Sequence, residues 1–245
     1  MNSEQHAERN YLGQPIGPSL PEWSPPPHPE PERLPGRFCR LEPLDADRHA
    51  EALFAANARD AEGRMWTYLP YGPFSDIESY REWVQAAGAS RDPLFFAIVD
   101  AASERAAGIA GYLRITPASG SIEVGHLAYS PLLQRTPAAT EAIYLLMERA
   151  FRLGYRRFEW KCDALNAPSR NAAQRLGFSY EGLFRQATVY KGRSRDTAWY
   201  SVIDAEWPAL REAFQQWLAP ENFDPKGRQR LRLSELTRPL LHRVG

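Results

Sequence analysis

Residues 121–142 read SIEVGHLAYSPLLQRTPAATEA, and the reading of this stretch decides that of its neighbours. Ser121–Tyr129 has the β-branched and aromatic content of a strand, which Pro131 ends. Thr136 is a good N-cap, and Pro137 suits the first helical position because its φ is fixed and its missing N–H would have no partner there. The helix then runs to about Leu153 and stops at Gly154. Ala138 and Ala139 are small, so the unpaired N–H groups of the first turn are open to an anion at the positive end of the helix dipole. Every helix start has such donors, so the corner alone reads first as an ordinary capped helix and only in wider context as a phosphate site.

Before this stretch, Phe38–Leu44 reads as a strand. Asp45 caps a helix to about Ala58, and Met65–Phe74 is an aromatic loop broken by Pro70, Gly72 and Pro73. Ser75 with Glu78 suggests a capping box for a helix to about Ala87. Leu94–Asp100, Ala107–Ile115 and Ser121–Tyr129 are strands joined by turns short enough for antiparallel neighbours. After it come a strand at Arg157–Cys162, a short helix at Asn166–Leu176 with Gly177 as its stop, and strands Tyr180–Tyr190 and Asp196–Ile203 joined by KGRSR. An amphipathic helix spans Trp207–Leu218. Antiparallel strands followed by one β-α-β crossover imply an α+β fold, a mixed, mostly antiparallel twisted sheet flanked by helices on both faces.

The chain divides into a proline-rich arm at 1–36, a folded domain at 37–219 and a polar tail, expected to be loose, at 220–245. Nine prolines fall between Pro15 and Pro35, which favours extended structure, and Trp23 is placed to pin the arm to the domain. Among 245 residues, Lys+Arg and Asp+Glu are 30 each, a balance that disfavours a nucleic-acid partner. No apolar run approaches the ~20 residues of a membrane span, and the N-terminus lacks a secretory apolar core. The two cysteines, Cys39 and Cys162, form neither a disulfide framework nor a zinc motif, so a cytoplasmic setting without metal is expected.

Four short motifs occur in order, each on its expected element: Glu123-Val124-Gly125-His126, the loop Gln134-Arg135-Thr136-Pro137-Ala138-Ala139 running into Thr140-Glu141-Ala142, Asn166-Ala167-Pro168-Ser169 with Gly177-Phe178, and Arg195-Asp196-Thr197-Ala198-Trp199-Tyr200. Together they resemble the GNAT superfamily of acyl-CoA-dependent N-acyltransferases, and within it the RimJ/RimL-like branch, over residues 37–205. Pro137 departs from the family's glycine and removes one amide donor. The resemblance implies acetyl-CoA, or another acyl-CoA, as co-substrate. Its pantetheine would pair with the strand edge at Leu127–Leu133, and its pyrophosphate would take amides of residues 134–139. The cofactor-binding set so implied is Tyr129, Leu132, Leu133, Gln134, Arg135, Thr136, Ala138, Ala139, Thr140, Asn166 and Ser169.

The implied reaction is direct attack of a primary amine on the thioester, which needs a base, an oxyanion donor and a proton for the leaving thiolate. By resemblance Glu123 is the base, the Leu127 amide the oxyanion donor and Ser169 the proton source, since Ala173 stands where many relatives have a tyrosine. Glu123 reads otherwise as a surface or salt-bridged carboxylate. His126 is a second base or a substrate contact, with a packed histidine the plainer reading. Trp66, Tyr68 and Tyr71 on the aromatic loop, with Arg185 and Tyr190 on the late hairpin, would line the acceptor side, unless the rings only staple the loop to the sheet. Cys162 reads as core. A small-molecule amine is preferred over a protein N-terminus as acceptor, and a homodimer is left open. The rival readings are a non-catalytic acyl-CoA-binding module and an arm that serves as an interaction element.

Overall fold

The strands expected from the sequence all enter one sheet. The computed structural model describes residues 8–245, so the first seven residues of the arm lie outside it. A small hairpin of β1 (Glu8–Arg9) and β2 (Pro15–Ile16) comes first. The main sheet contains β3 (Leu34–Pro35), β4 (Cys39–Pro43), β5 (Leu94–Asp100), β6 (Ala106–Thr116), β7 (Ser121–Tyr129), β8 (Arg157–Asp163), β9 (Ser179–Tyr190) and β10 (Arg193–Ile203). Its spatial order is β3-β4-β5-β6-β7-β8-β10-β9, and β7–β8 is the parallel pair. The helices are α1 (Ala46–Asn57), α2 (Ile77–Gly88), α3 (Pro137–Arg152), α4 (Ala167–Arg175), α5 (Trp207–Leu218) and α6 (Leu233–Thr237).

The period of two along the strands sorts the core into two layers. On β5, Leu94, Phe96 and Ile98 join the side chains of α3 and α5, while Phe95, Ala97 and Val99 join those of α1 and α2. Both faces of β5 are covered, which is why LFFAIVD is a continuous apolar run rather than an alternating one. The same alternation on β7 sends Ile122 and Val124 toward α3 and leaves Glu123 on the α1/α2 side.

Three local expectations are corrected. Asp76, not Ser75, caps α2: its Oδ1 accepts the Ser79 N–H at 2.8 Å, and the Ser75 hydroxyl donates to Asp76 instead. A carboxylate outcompetes a neighbouring hydroxyl for an amide. The late hairpin turns tightly at Lys191-Gly192, both with positive φ, so β10 starts at Arg193 rather than Asp196. Residues 220–245 pack rather than hang loose. Leu233 is 1 % exposed, Thr237 donates to the Arg175 carbonyl at 2.9 Å, and the Tyr180 N–H bonds the Arg243 carbonyl at 2.9 Å. A few anchors suffice to fix a polar segment whose composition gives no hint of docking.

The arm is a strap from residue 23 onward. Tyr155 Oη donates to the Pro27 carbonyl at 3.1 Å, buried Arg149 pairs with Glu32 at 3.0 Å, and the Trp23 ring lies beneath the Arg156 guanidinium at 5.9 Å. The strap leads into β3–β4, whose connecting turn is held by Glu141 of α3. This buried carboxylate accepts the amides of Arg37, Phe38 and Cys39 at 2.8, 2.6 and 2.8 Å. Replacing Glu141 by Ala strands three N–H groups and is expected to destabilise the fold by about 3–5 kcal/mol. For a chain of this size that lowers the melting temperature by roughly 10 °C, measurable by thermal unfolding.

Candidate active site

The parallel ladder between β7 and β8 is short. It pairs Ser121 with Arg157, Ile122 with Phe158, Glu123 with Glu159 and Val124 with Trp160, and then stops. Beyond that point β7 stays with β6 and β8 stays with β10, so the strands diverge. The cause lies in β7. Gly125 pairs with Gly111 and Ala128 with Ile109, leaving His126 and Leu127 opposite Ala110 alone. His126 sits at φ +52°, and this bulge bends β7 away from β8 and takes an amide out of the ladder.

The loop at the far end of β7 closes on itself. Leu133 and Gln134 donate their amides to the Ser130 carbonyl, and Ser130 Oγ ties the loop to the Ala107 carbonyl at 2.6 Å. Gln134 Nε2 bonds the Tyr129 carbonyl at 2.7 Å. Thr136 caps α3 as expected, but its Oγ1 takes the Ala139 amide at 3.2 Å. That corrects the expectation that Ala139 offers a free donor. Among the described residues, the amides of Arg135 and Ala138 have no protein partner. Leu132 is exposed and Leu133 buried in the core, so Leu133 does not present its side chain to a ligand. Thr140 is buried and accepts from Arg175 Nη2 at 3.0 Å. On α4, Asn166 Oδ1 caps the helix through the Ser169 amide at 3.1 Å. Ser169 Oγ accepts from Trp160 Nε1 at 3.0 Å, which leaves the hydroxyl proton free to be donated.

Glu123 is buried between two cations. Arg114 Nη1 donates to Oε1 at 2.7 Å, and Lys161 Nζ lies 2.8 Å from Oε2. The second contact is a close ion pair, and Lys161 is the cation at Oε2. Burial pushes the carboxyl above its usual range, and the two cations pull against it. The salt-bridged reading of Glu123 thus describes its contacts, one cation at each carboxylate oxygen.

His126 is packed, with Tyr71 stacked on it at 5.6 Å and Phe95 edge-on at 5.0 Å. Its Nδ1 has no partner, and burial drives the imidazole down to about 4, so it is neutral at pH 7. Trp66 is buried in the α1/α2 core, edge-on to Tyr71 and Phe74, and shapes the wall without facing a substrate. Tyr68 Oη reaches the Leu165 carbonyl at 3.2 Å, Tyr190 Oη donates to Asp163 at 2.9 Å, and Lys191 Nζ donates to the Trp66 carbonyl at 2.8 Å. These bonds lace the aromatic loop, the end of β8 and the hairpin tip together. Arg185 stays outside this group, beside Phe184, Gln186 and Asp196 at the bulge of β9.

The acetyltransferase (GNAT) domain family matches residues 39–179, more than half of the chain. This chain belongs to the GNAT family of acetyltransferases. It is 50 % identical to a GCN5-related N-acetyltransferase from Brucella melitensis whose crystal structure covers 89 % of this chain and 99 % of its own, with a TM-score of 0.87. An uncharacterised N-acetyltransferase, p20, of Bacillus licheniformis is 27 % identical over 57 % of this chain and 80 % of its own. The acetyl transferase of Salmonella typhimurium that modifies the N-terminal serine of ribosomal protein L7/L12 is 23 % identical over 70 % of this chain and 99 % of its own. Its TM-score is 0.61, a likeness of fold.

Three residues of this GNAT domain went unread in the sequence: Arg114, Lys161 and Arg175. Lys161 was legible in RFEWKCD, where charged residues at 157, 159, 161 and 163 alternate with core ones and so share a strand face. Arg114 and Arg175 gave no such signal, because each is placed by tertiary contacts. No group of His, Cys, Asp or Glu suited to a metal occurs among the described residues.

The His126 environment predicts a pH effect. Its folded value, about 4, lies below the ~6.5 of an unfolded histidine, so the unfolded chain takes a proton first as pH falls. This contribution to stability is complete above pH ~6.5 and is lost progressively down to about 4. Denaturant titrations across that range should show a steeper loss in the parent than in His126→Phe, and the imidazole proton resonance should titrate near 4.

Proposed function

We propose that this GNAT protein transfers an acetyl or other short acyl group from acyl-CoA to a primary amine by direct attack, with Glu123 Oε2 as proton acceptor. The observation that carries the reading is the opening between β7 and β8, beside which lies the buried Glu123 carboxylate, its Oε2 held by the Lys161 ammonium at 2.8 Å. The residues present suit a CoA thioester. The β8-facing backbone of residues 125–129 has lost its ladder, which gives an extended amide chain an edge to pair with. The free Arg135 and Ala138 amides and the α3 dipole suit a pyrophosphate, and half-buried Arg175 adds a cation beside Thr140. When bound, CoA supplies an activated acyl carbonyl and a thiolate leaving group.

The protein's own parts then divide the work. Glu123 takes the ammonium proton, directly or through a water. The amide released at the His126–Leu127 bulge, assigned to Leu127, meets the negative charge that develops on the carbonyl oxygen. Ser169 relays a solvent proton to the sulfur, its own hydroxyl being re-protonated as it gives. Tyr68, Tyr71 and Tyr190 wall the acceptor side, and the bonds from Tyr190 and Lys191 across it favour a small amine over a protein N-terminus. The fold shared with the ribosomal-protein enzyme keeps the second acceptor class in the test. No helix among the described residues is long and apolar enough to cross a membrane, and both cysteines are buried thiols, which suits a reducing cytoplasm.

Two variants test this reading. Glu123→Gln is expected to lower acetyl-CoA-dependent thiol release by ~10²-fold with an amine and peptide panel, while CoA still gives calorimetric heat. A near-normal rate would remove Glu123 from the mechanism, and heat without turnover in the parent would favour a binding module. Ala139→Glu places a carboxylate in the first turn of α3, where the helix dipole favours a negative charge. The same carboxylate repels pyrophosphate, and the CoA dissociation constant should rise at least about tenfold (about 1.4 kcal/mol).

A further inference from the structure

The sheet face opposite α3 and α5 carries more charge than acyl transfer by Glu123 alone requires. Six side chains alternate in sign across β6, β7, β8 and β9: Arg114, Glu123, Lys161, Glu159, Arg157 and Glu181. Successive contacts are 2.7 Å from Arg114 to Glu123, 2.8 Å from Glu123 to Lys161, 2.6 Å from Lys161 to Glu159, 2.6 Å from Glu159 to Arg157 and 2.6 Å from Arg157 to Glu181. The end cation Arg114 has a side chain 60 % exposed, whereas that of Lys161 is 8 % exposed. Solvent and salt screen the first charge and reach the second poorly.

Lys161 is also the first residue of β8 beyond the last pair with β7, so its ammonium stands at the mouth of the opening. It rests 3.9 Å above the centroid of the Trp199 ring of β10, with a carboxylate from each parallel strand on it. A buried carboxylate without a close cation prefers to hold its proton and cannot take another. We propose that Lys161 is a positioning residue for acyl transfer: shared between Glu123 and Glu159 on the Trp199 ring, it keeps Glu123 ionised and aimed, and Glu159 sets how much of its charge Glu123 receives. The inference rests on the reading of Glu123 as proton acceptor. In the step itself, an N–H bond of the acceptor ammonium breaks and an O–H bond forms at Oε2. The electron pair stays on nitrogen for the attack, and the Lys161 side chain leans toward Glu159.

The other groups near Glu123 do not take this role. Asp92, from the loop before β5, holds the Arg114 and Ile115 amides at 2.9 and 3.1 Å. His126 of β7 is neutral between Tyr71 and Phe95. Ser201 of β10 donates to Glu181 at 2.7 Å, at the far end of the row. Glu159, despite its burial, is held below the usual carboxylate range by hydrogen bonds from Lys161 and Arg157, and so remains a charged competitor for Lys161.

The test follows the Glu123 carboxyl directly, in the full chain labelled with [δ-13C]glutamate, its resonance identified by its loss in Glu123→Gln. Lys161→Met should raise the Glu123 titration midpoint by about 1–3 pH units. Lys161→Arg should restore it to within about half a unit, and Glu159→Gln should lower it. The acidic limb of the rate profile, measured with acetyl-CoA and the best amine of the panel, should move the same way, with the KM for acetyl-CoA unchanged. A midpoint that does not move in folded Lys161→Met overturns the proposal. If that variant does not fold, a rise instead of a fall in Glu159→Gln does so. Should the midpoints move as stated while Glu123→Gln keeps full turnover, the base assignment fails separately, and Lys161 loses its part in the reaction.

Discussion

The site depends on where one ladder of backbone hydrogen bonds ends. Parallel strands β7 and β8 share four residue pairs, and the bulge at His126 and Leu127 ends the pairing by turning β7 toward β6. Had β7 continued regularly, its amides and carbonyls would have been satisfied by β8 and no edge would face the opening. A residue at φ +52° has a conformational cost, and stacking of His126 between Tyr71 and Phe95 offsets it. Burial beneath the α1/α2 layer keeps the ring neutral.

Charge on this sheet face follows from the same geometry. Once one face of β7 and β8 is committed to the α3 core, every second residue must point the other way. Glu123, Glu159 and Lys161 are thus brought side by side by strand register, with no loop involved. Rigid strands hold acid–base groups more closely than loops do. The aromatic loop and the hairpin tip, by contrast, are positioned by a few hydrogen bonds from Tyr68, Tyr190 and Lys191.

Much of this was legible in the residues. The apolar run of β5, the Thr136-Pro137 helix start and the strands of the sheet follow from composition and capping rules, and the GNAT resemblance pointed to Glu123 and to the strand edge that follows it. Three kinds of feature were not legible. Competition between adjacent caps, as at Ser75 and Asp76, depends on backbone angles that neither residue fixes alone. The docking of residues 220–245 rests on isolated anchors such as Leu233 and Asn222 within a polar segment. The use of the Ala139 amide by Thr136 is a side-chain rotamer choice, invisible in a motif that counts residues. Trp66 shows the reverse case, an aromatic residue in the right loop that belongs to the core.

Glu141 has a bearing on how the molecule is made. Its three amide partners precede it by 102 to 104 residues, so the turn before β4 leaves the ribosome long before its carboxylate exists. At roughly 5–20 residues per second that interval is about 5–20 s. Until α3 emerges, the three amides of the β3–β4 turn have only water to bond, and the turn takes its native form late in synthesis.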